Sequence, residues 1–283
     1  LDNSRQTLVK LNFVKMHGLG NDFVLLDGVS QEIRLNEQNI RHLAHRKFGI
    51  GCDQLLIAQP STQEDVDFRY RIFNSDGSEV EQCGNGARCF AQFVRRQGLT
   101  DKCIMKVETL AGVFTLYVRD EINVTVEMGE PEFDSDKIPF TQQNADNVYS
   151  AGIGKQLIEF SVVSMGNPHA VVFVDDVESV DIHTIGSQLE IDERFPKRTN
   201  VQFVQVKDRH NIVQKVFERG VGETMASGSG ACAAAAVAQQ KNRVNNTVTI
   251  TMSGGALEIH RDDSGCLLMT GPTEYSFEGS IEI

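Results

Sequence analysis

Cys83 opens the run C-G-N-G, and 144 residues later Ser227 opens S-G-S-G. Glycines beside such a residue let the backbone approach a ligand closely, and at a helix start they leave the first-turn N–H groups facing outward. Those donors and the positive end of the helix dipole favour an anion, either a substrate carboxylate or a thiolate. A cysteine so placed is expected to ionise below the free-thiol pKa of about 8.5. Two such poles on one cavity suit inversion at a tetrahedral carbon, where one group takes a proton from one face and another returns a proton to the opposite face. An α-carbon proton is weakly acidic, so the neighbouring carboxylate must be gripped by fixed dipoles in a dry site. A lone cysteine reads as a small buried hydrophobe; the mirrored Gly-x-Gly setting argues for chemistry.

The elements that must position these residues repeat as well. Residues 73–87, FNSDGSEVEQCGNGA, align with 217–231, FERGVGETMASGSGA, sharing Phe73/Phe217, Glu79/Glu223, Gly84/Gly228, Gly86/Gly230 and Ala87/Ala231. Upstream, at an offset of 146, GNDFVLLD (20–27) aligns with GNPHAVVF (166–173), pairing Asn21 with Asn167, and the same offset sets Gln54 opposite Asn200. One repeat of half the chain means duplication into two like domains rather than a solenoid. In each copy a strand-like stretch (FRYRIF, VQKVF) runs through a polar, glycine-bearing loop into a helical stretch. In ARCFAQFVRR, residues Phe90, Phe93 and Val94 recur at helical spacing, whereas ACAAAAVAQQ has no polar face before Gln239 and is expected to be buried on most sides. VFTLYVR, INVTVEM, VTITM and LEIH alternate as strands that wrap these helices. The expected fold is α+β: two pseudo-symmetric domains, each a mostly antiparallel curled sheet around a central helix, with the active site in the cleft between them. The expected boundaries are 1–127 plus 273–283 and 128–272, the last strand, SIEI, returning to the first domain.

Composition narrows the partners. At 283 residues two domains of ordinary size are natural. A net charge of −12 argues against a nucleic-acid binder. Arg41, His42, His45, Arg46 and Lys47 read as the wet face of a helix. No apolar run approaches the ~18 residues that cross a membrane. The opening LDNSRQTLVK lacks the core of a signal peptide and reads as a start-site extension or cloning remnant. Six scattered cysteines without a secretory signal belong to reduced thiols, so a cytoplasmic location is expected. No CxxC or HxxxH pair suggests a metal. No phosphate cradle or Schiff-base lysine setting suggests pyridoxal phosphate, and His17-Gly-x-Gly20 lacks the third glycine of a dinucleotide site. No cofactor is expected.

KMHGLGNDF (15–23), GIGCDQLL (49–56), YRIFNSDGSEVEQCGNGARC (70–89), SMGNPHAV (164–171), NVQF (200–203) and FERGVGETMASGSGACAA (217–234) together are highly specific. On these blocks the chain resembles the diaminopimelate epimerases from about Leu11 to its end. The resemblance implies conversion of LL-2,6-diaminopimelate to the meso form, in lysine and peptidoglycan synthesis, by two thiols without metal or cofactor, in a homodimer. Carried over by position, Cys83 is the first thiol and Ser227 holds the place of the second. Asn21, Asn74, Asn167, Asn200, Glu218 and Arg219 match residues that hold the substrate, and Gln54, opposite Asn200, is counted with them. Gly84, Asn85, Gly228 and Ser229 match the cradle of the reacting carboxylate. His169 and Glu218 match the pair near the reactive α-amino group.

The family pattern A-C-G-S-G is A-S-G-S-G here. A serine hydroxyl does not ionise near neutral pH without a strong base, whereas a thiol at a helix start does. The two side chains are close in shape, so fold and pocket are expected to survive, and Cys232 reads as packing rather than a substitute base. Three accounts stay open at this point: an engineered inactive variant, a natural chain with weakened chemistry, or a relative that isomerises something else. The alternatives in function are another amino-acid racemase or isomerase on the same scaffold and a non-catalytic substrate-binding relative.

Overall fold

The computed structural model describes residues 10–81 and 83–283. The extension read over the first ten residues lies outside the described residues except for Lys10, which opens the first strand. The described chain forms two compact units, 10–124 with 272–283, and Thr125–Gly271.

In the first unit β1 (Lys10–Gly18) pairs antiparallel with β2 (Asn21–Asp27) and, along its other edge, with β18 (Glu274–Glu282), so the last strand returns to this unit. β2 runs parallel to β3 (Gln54–Pro60), which pairs antiparallel with β4 (Phe68–Asn74). β4 pairs antiparallel with the short β5 (Glu79–Val80) and parallel with β6 (Ile104–Thr109), and β6 turns back into β7 (Gly112–Val118). The helix α2 (Gly84–Arg96) packs on β1, β2, β3 and β7. Its Phe90 meets Tyr70 at 4.6 Å between ring centres. The opposite sheet face is covered by α1 (Glu37–Ala44), whose Ile40, Leu43 and Ala44 join Val24, Leu26, Leu55 and Ile57 in a second apolar layer. Strands buried on both faces read as continuous apolar runs, which is why FVLL in β2 and LLIA in β3 do not alternate.

The second unit repeats this order of pairings. β10 (Gln156–Ser164) pairs antiparallel with β9 (Tyr149–Ile153) and with β11 (Pro168–Phe173), and β11 runs parallel to β12 (Asn200–Val206). β12 pairs antiparallel with β13 (Asn211–Glu218), which carries β14 (Gly222–Thr224) antiparallel and β15 (Thr247–Met252) parallel. β15, β16 (Gly255–Arg261) and β17 (Leu267–Pro272) follow as a meander. The registers match the sequence offsets: Phe23 faces Gln54 as His169 faces Asn200, and Phe73 faces Glu79 as Phe217 faces Glu223. α4 (Gly228–Gln240) is the central helix, with Ala231 through Ala238 all buried, as its alanine run predicts. α3 (Ile182–Glu190) covers the outer face through Ile182, Ile185 and Leu189.

Two details depart from the sequence reading. α1 ends at Ala44, so only Arg41 and His42 lie on its wet face; His45 caps it, and Arg46 reaches back to two carboxylates described below. The units divide at 124/125 and 271/272 rather than at 127/128 and 272/273. In β8 (Asn123–Glu127) the Thr125 hydroxyl bonds that of Thr270 at 2.7 Å, which ties the strand from Thr125 onward to the second unit.

Candidate active site

Each unit builds its own half-set of the expected residues. In the first, Cys83 is the N-cap of α2, with extended backbone (φ −147°, ψ 107°) and Sγ accepting from Gly86 N at 3.3 Å. Gly84 and Asn85 begin the helix, where the first-turn amides are unpaired by the helix itself. Asn21 follows the tight turn at Leu19 and Gly20, both with positive φ. Its Oδ1 lies 3.9 Å from Cys83 Sγ and accepts from Asn85 Nδ2 at 3.4 Å. Cys83, Asn21 and Asn85 are thus one group. Gln54 and Asn74 form a separate pair, Gln54 Nε2 donating to Asn74 Oδ1 at 3.0 Å. Gln54 Oε1 and Asn85 Oδ1 are buried acceptors without a partner among the described residues, and such atoms are costly unless a ligand or water supplies a donor.

The Asn21 side chain is braced from behind by residues that the sequence reading did not place at the site, Arg46 among them. Asn21 Nδ2 donates to Asp53 Oδ2 at 2.9 Å. Arg46 clamps Asp22 with two bonds of 2.9 and 2.7 Å and reaches Asp53 at 2.7 Å, while Lys15 donates to Asp22 at 2.6 Å. Burial alone would raise the Asp22 pKa; hydrogen bonds from Arg46 and Lys15 and the charge of Lys15 outweigh it and hold the carboxyl well below its usual range. Asp22 and Asp53 lie inside the blocks GNDF and GCDQ, next to residues that were named, so position was the available signal.

In the second unit Ser227 is the N-cap of α4 (φ −134°, ψ 117°), and its Oγ accepts from Gly230 N at 3.3 Å, the same bond at the same length as that of Cys83. Gly228 and Ser229 open the helix. Among the described residues no side-chain base hydrogen-bonds the Ser227 hydroxyl. Asn200 links two expected residues to the strand start between Asn167 and His169: its Nδ2 donates to Pro168 O at 3.2 Å, and its Oδ1 accepts from Arg219 N at 3.1 Å. His169 Nε2 meets Asn167 Oδ1 at 3.0 Å. The ring is fully buried, and burial followed by the charge of Arg219 lowers its pKa to about 3, so it is neutral at pH 7. Glu218 accepts a short hydrogen bond from Thr224 Oγ1, and Gly220 N donates to Glu190 at 2.8 Å, which fixes the loop carrying Arg219.

The other thiols have different surroundings. Burial pushes Cys52 up to about 11 and Cys89 up to about 12, and Cys232 is buried in the alanine helix, consistent with packing. Among the described residues no three His, Cys, Asp or Glu side chains gather as a metal site, and no helix is long and apolar enough to cross a membrane.

The family model described as diaminopimelate epimerase matches residues 13–133 and 161–276, which takes in both helix heads and all the residues named above. The chain belongs to the diaminopimelate epimerase family. Solved structures share the fold at low identity. A hydroxyproline epimerase from Agrobacterium vitis, bound to trans-4-hydroxy-L-proline, superposes with a TM-score of 0.73 at 14% identity, over 97% of this chain and 93% of that one. A PhzF-family phenazine biosynthesis protein from Bacillus anthracis gives 0.68 at 14%, over 97% and 100%. A methylitaconate-delta-isomerase gives 0.63 at 15%, over 98% and 96%. The two-unit α+β fold of these solved structures is therefore that of this chain.

Proposed function

We propose that this chain binds 2,6-diaminopimelate and that its scaffold serves the cofactor-free epimerisation of the LL to the meso form, with Cys83 and position 227 as the two proton-transfer positions. The observation that carries the reading is the matched pair of helix heads: Cys83 and Ser227 cap their helices with the same bond to the third residue on, each above a Gly-x-Gly first turn. Each head offers outward N–H groups to a carboxylate. The unpartnered acceptors Gln54 Oε1 and Asn85 Oδ1 suit ammonium donors, and Arg219 with the Asn side chains suits a second amino-acid head group. In the reaction a Cys83 thiolate takes the α-proton from one face, and the planar carbanion is reprotonated from the other by the group at position 227. Among the described residues no side-chain base hydrogen-bonds the serine there, so inversion is impaired while binding is retained. The substrate would place the chain in lysine and peptidoglycan synthesis, as a cytoplasmic homodimer in keeping with the family.

The test compares this chain with its Ser227→Cys variant on LL- and meso-diaminopimelate. Turnover is expected to rise by at least the 10²–10⁴ that a general acid or base contributes, with binding little changed. Equal rates would remove position 227 from the mechanism. Ser227 itself favours a second reading, a binding protein that keeps the pocket without turnover. Tight diaminopimelate binding with no deuterium exchange at the α-carbon would select it; slow exchange from one epimer without inversion would select the impaired epimerase.

A further inference from the structure

Beneath the head of α4 lies a row of three buried polar side chains that the reaction above does not call on. Gln214 Nε2 donates to Gln202 Oε1 at 2.6 Å, Gln202 Nε2 meets His169 Nδ1 at 3.0 Å, and His169 Nε2 meets Asn167 Oδ1 at 3.0 Å. His169 and Gln202 are fully buried and Gln214 nearly so. The fold does not require them. At the matching registers of the first unit, β2, β3 and β4 carry Phe23, Leu56 and Tyr70, and the strands there pair in the same way. Burying amides costs free energy that leucine at the same place does not, so the row is retained for something other than stability.

The row also has a direction. At its far end Gln214 Oε1 has no partner among the described residues. Reversing every amide would leave an NH2 group there instead, and orphaned buried N–H groups are the rarer and costlier case. The oxygen-outward sense makes Gln202 donate to Nδ1, which leaves the imidazole proton on Nε2, where it donates to Asn167 Oδ1. With its oxygen turned to the imidazole N–H, the Asn167 amide directs its NH2 donors away from the ring, toward a ligand.

We infer that Gln202 and Gln214 are positioning residues: through this row they fix His169 as the neutral Nε2–H tautomer and thereby turn the Asn167 amide so that it presents donors to a substrate carboxylate. The carboxylate clause rests on the reading of Asn167 as a substrate contact; the tautomer clause does not. Gly230 belongs to the same device, because a Cβ there would stand 2.6 Å from Gln202 Oε1.

The test is nitrogen-15 imidazole NMR of the full chain at pH 7. His169 is expected to show a pyrrole-type Nε2 and a pyridine-type Nδ1. Gln202→Leu, which copies the residue at position 56, is expected to fold and to show both tautomers; Gln202→Glu is expected to move a proton to Nδ1, because a carboxylate there accepts. Gln214→Leu serves if the first variant is unstable, and is expected to weaken the tautomer preference. A parent ring with its proton on Nδ1, or variants with the parent tautomer unchanged, would overturn the inference. Binding of meso-diaminopimelate by calorimetry is expected to weaken about tenfold in Gln202→Leu. Unchanged binding with a shifted tautomer would strike the substrate role of Asn167 and leave the row standing.

Discussion

Asp22 sits between Lys15 and Arg46 under the turn that carries Asn21, and its charge is needed at both. Its folded pKa lies below the unfolded value of about 3.9, so the stabilisation is present above that value and is lost as pH falls through the folded pKa. Asp22→Asn is expected to cost about 1–3 kcal/mol at pH 7, toward the low end because Arg46 is largely exposed. The gap between parent and variant should narrow as urea unfolding is repeated from pH 7 down to pH 3; a constant gap would mean the ion pair is not its source. His169 acts in a different window. Its folded pKa is lowered to about 3 while an unfolded histidine titrates near 6.5, so between those values the unfolded chain holds a proton that the folded chain does not. Its contribution is whole above about 6.5 and falls on acidification. The parent should lose about 2 kcal/mol between pH 6.5 and 5, and His169→Gln should lose visibly less over the same interval of urea midpoints. Cys83 and Ser227 were legible in the sequence because glycines mark a helix head directly. Gln202 and Gln214 were not, because a glutamine in a strand gives no sign of which buried neighbour it will meet across the sheet.

At the scale of elements, the heads of α2 and α4 are sites of close approach. A Cβ on Gly86 would stand 2.4 Å from the Tyr70 hydroxyl, and one on Gly230 would meet Gln202 from 2.6 Å. Both neighbours are buried and held from several sides, so they cannot swing clear. Gly86→Ala and Gly230→Ala are each expected to destabilise by about 1–3 kcal/mol, although alanine gains about 1 kcal/mol in helix propensity. Gly152→Ala, where a Cβ meets nothing within 4 Å, is the control and should be nearly neutral by the same thermal unfolding. A stable Gly230→Ala protein would show that the Gln202 side chain can retreat. Both central helices were readable from their spacing and their alanine content. Of the outer helices, α1 shows in the sequence only as a basic wet face and α3 not at all, although Asn36 and Asn39 form a reciprocal cap on α1 and Asp181 caps α3. The parallel pairings β2/β3, β4/β6, β11/β12 and β13/β15 were also out of reach, since strand direction is decided by the connection that carries the chain across and not by the strand's own residues.

For the molecule as a whole, the last strand matters more than its exposure suggests. β18 runs along β1 from Lys10↔Glu282 to His17↔Glu274, and Phe277 meets Phe13 edge-on at 6.0 Å. Ending the chain after Pro272 would bare the β1 edge and uncover Phe13, so the shortened protein is expected to aggregate and to lose protease resistance in residues 10–124 before Thr125–Gly271. Equal resistance in both units would show β18 to be an accessory. The repeat was visible in sequence because its strongest blocks surround the helix heads, yet its offset changes from 146 to 144 along the chain. The change falls at one hairpin tip. Pro60 pairs with Phe68 across residues 61–67, while Val206 pairs with Ile212 across 207–211. The first tip is longer by two residues, and two is the period of a strand, so every side chain below it keeps its face. An odd difference would have turned one wall of the hairpin inside out. This tip is therefore a place to splice in a tag or a dye attachment, in even-numbered steps, with the rows of residues beneath it undisturbed.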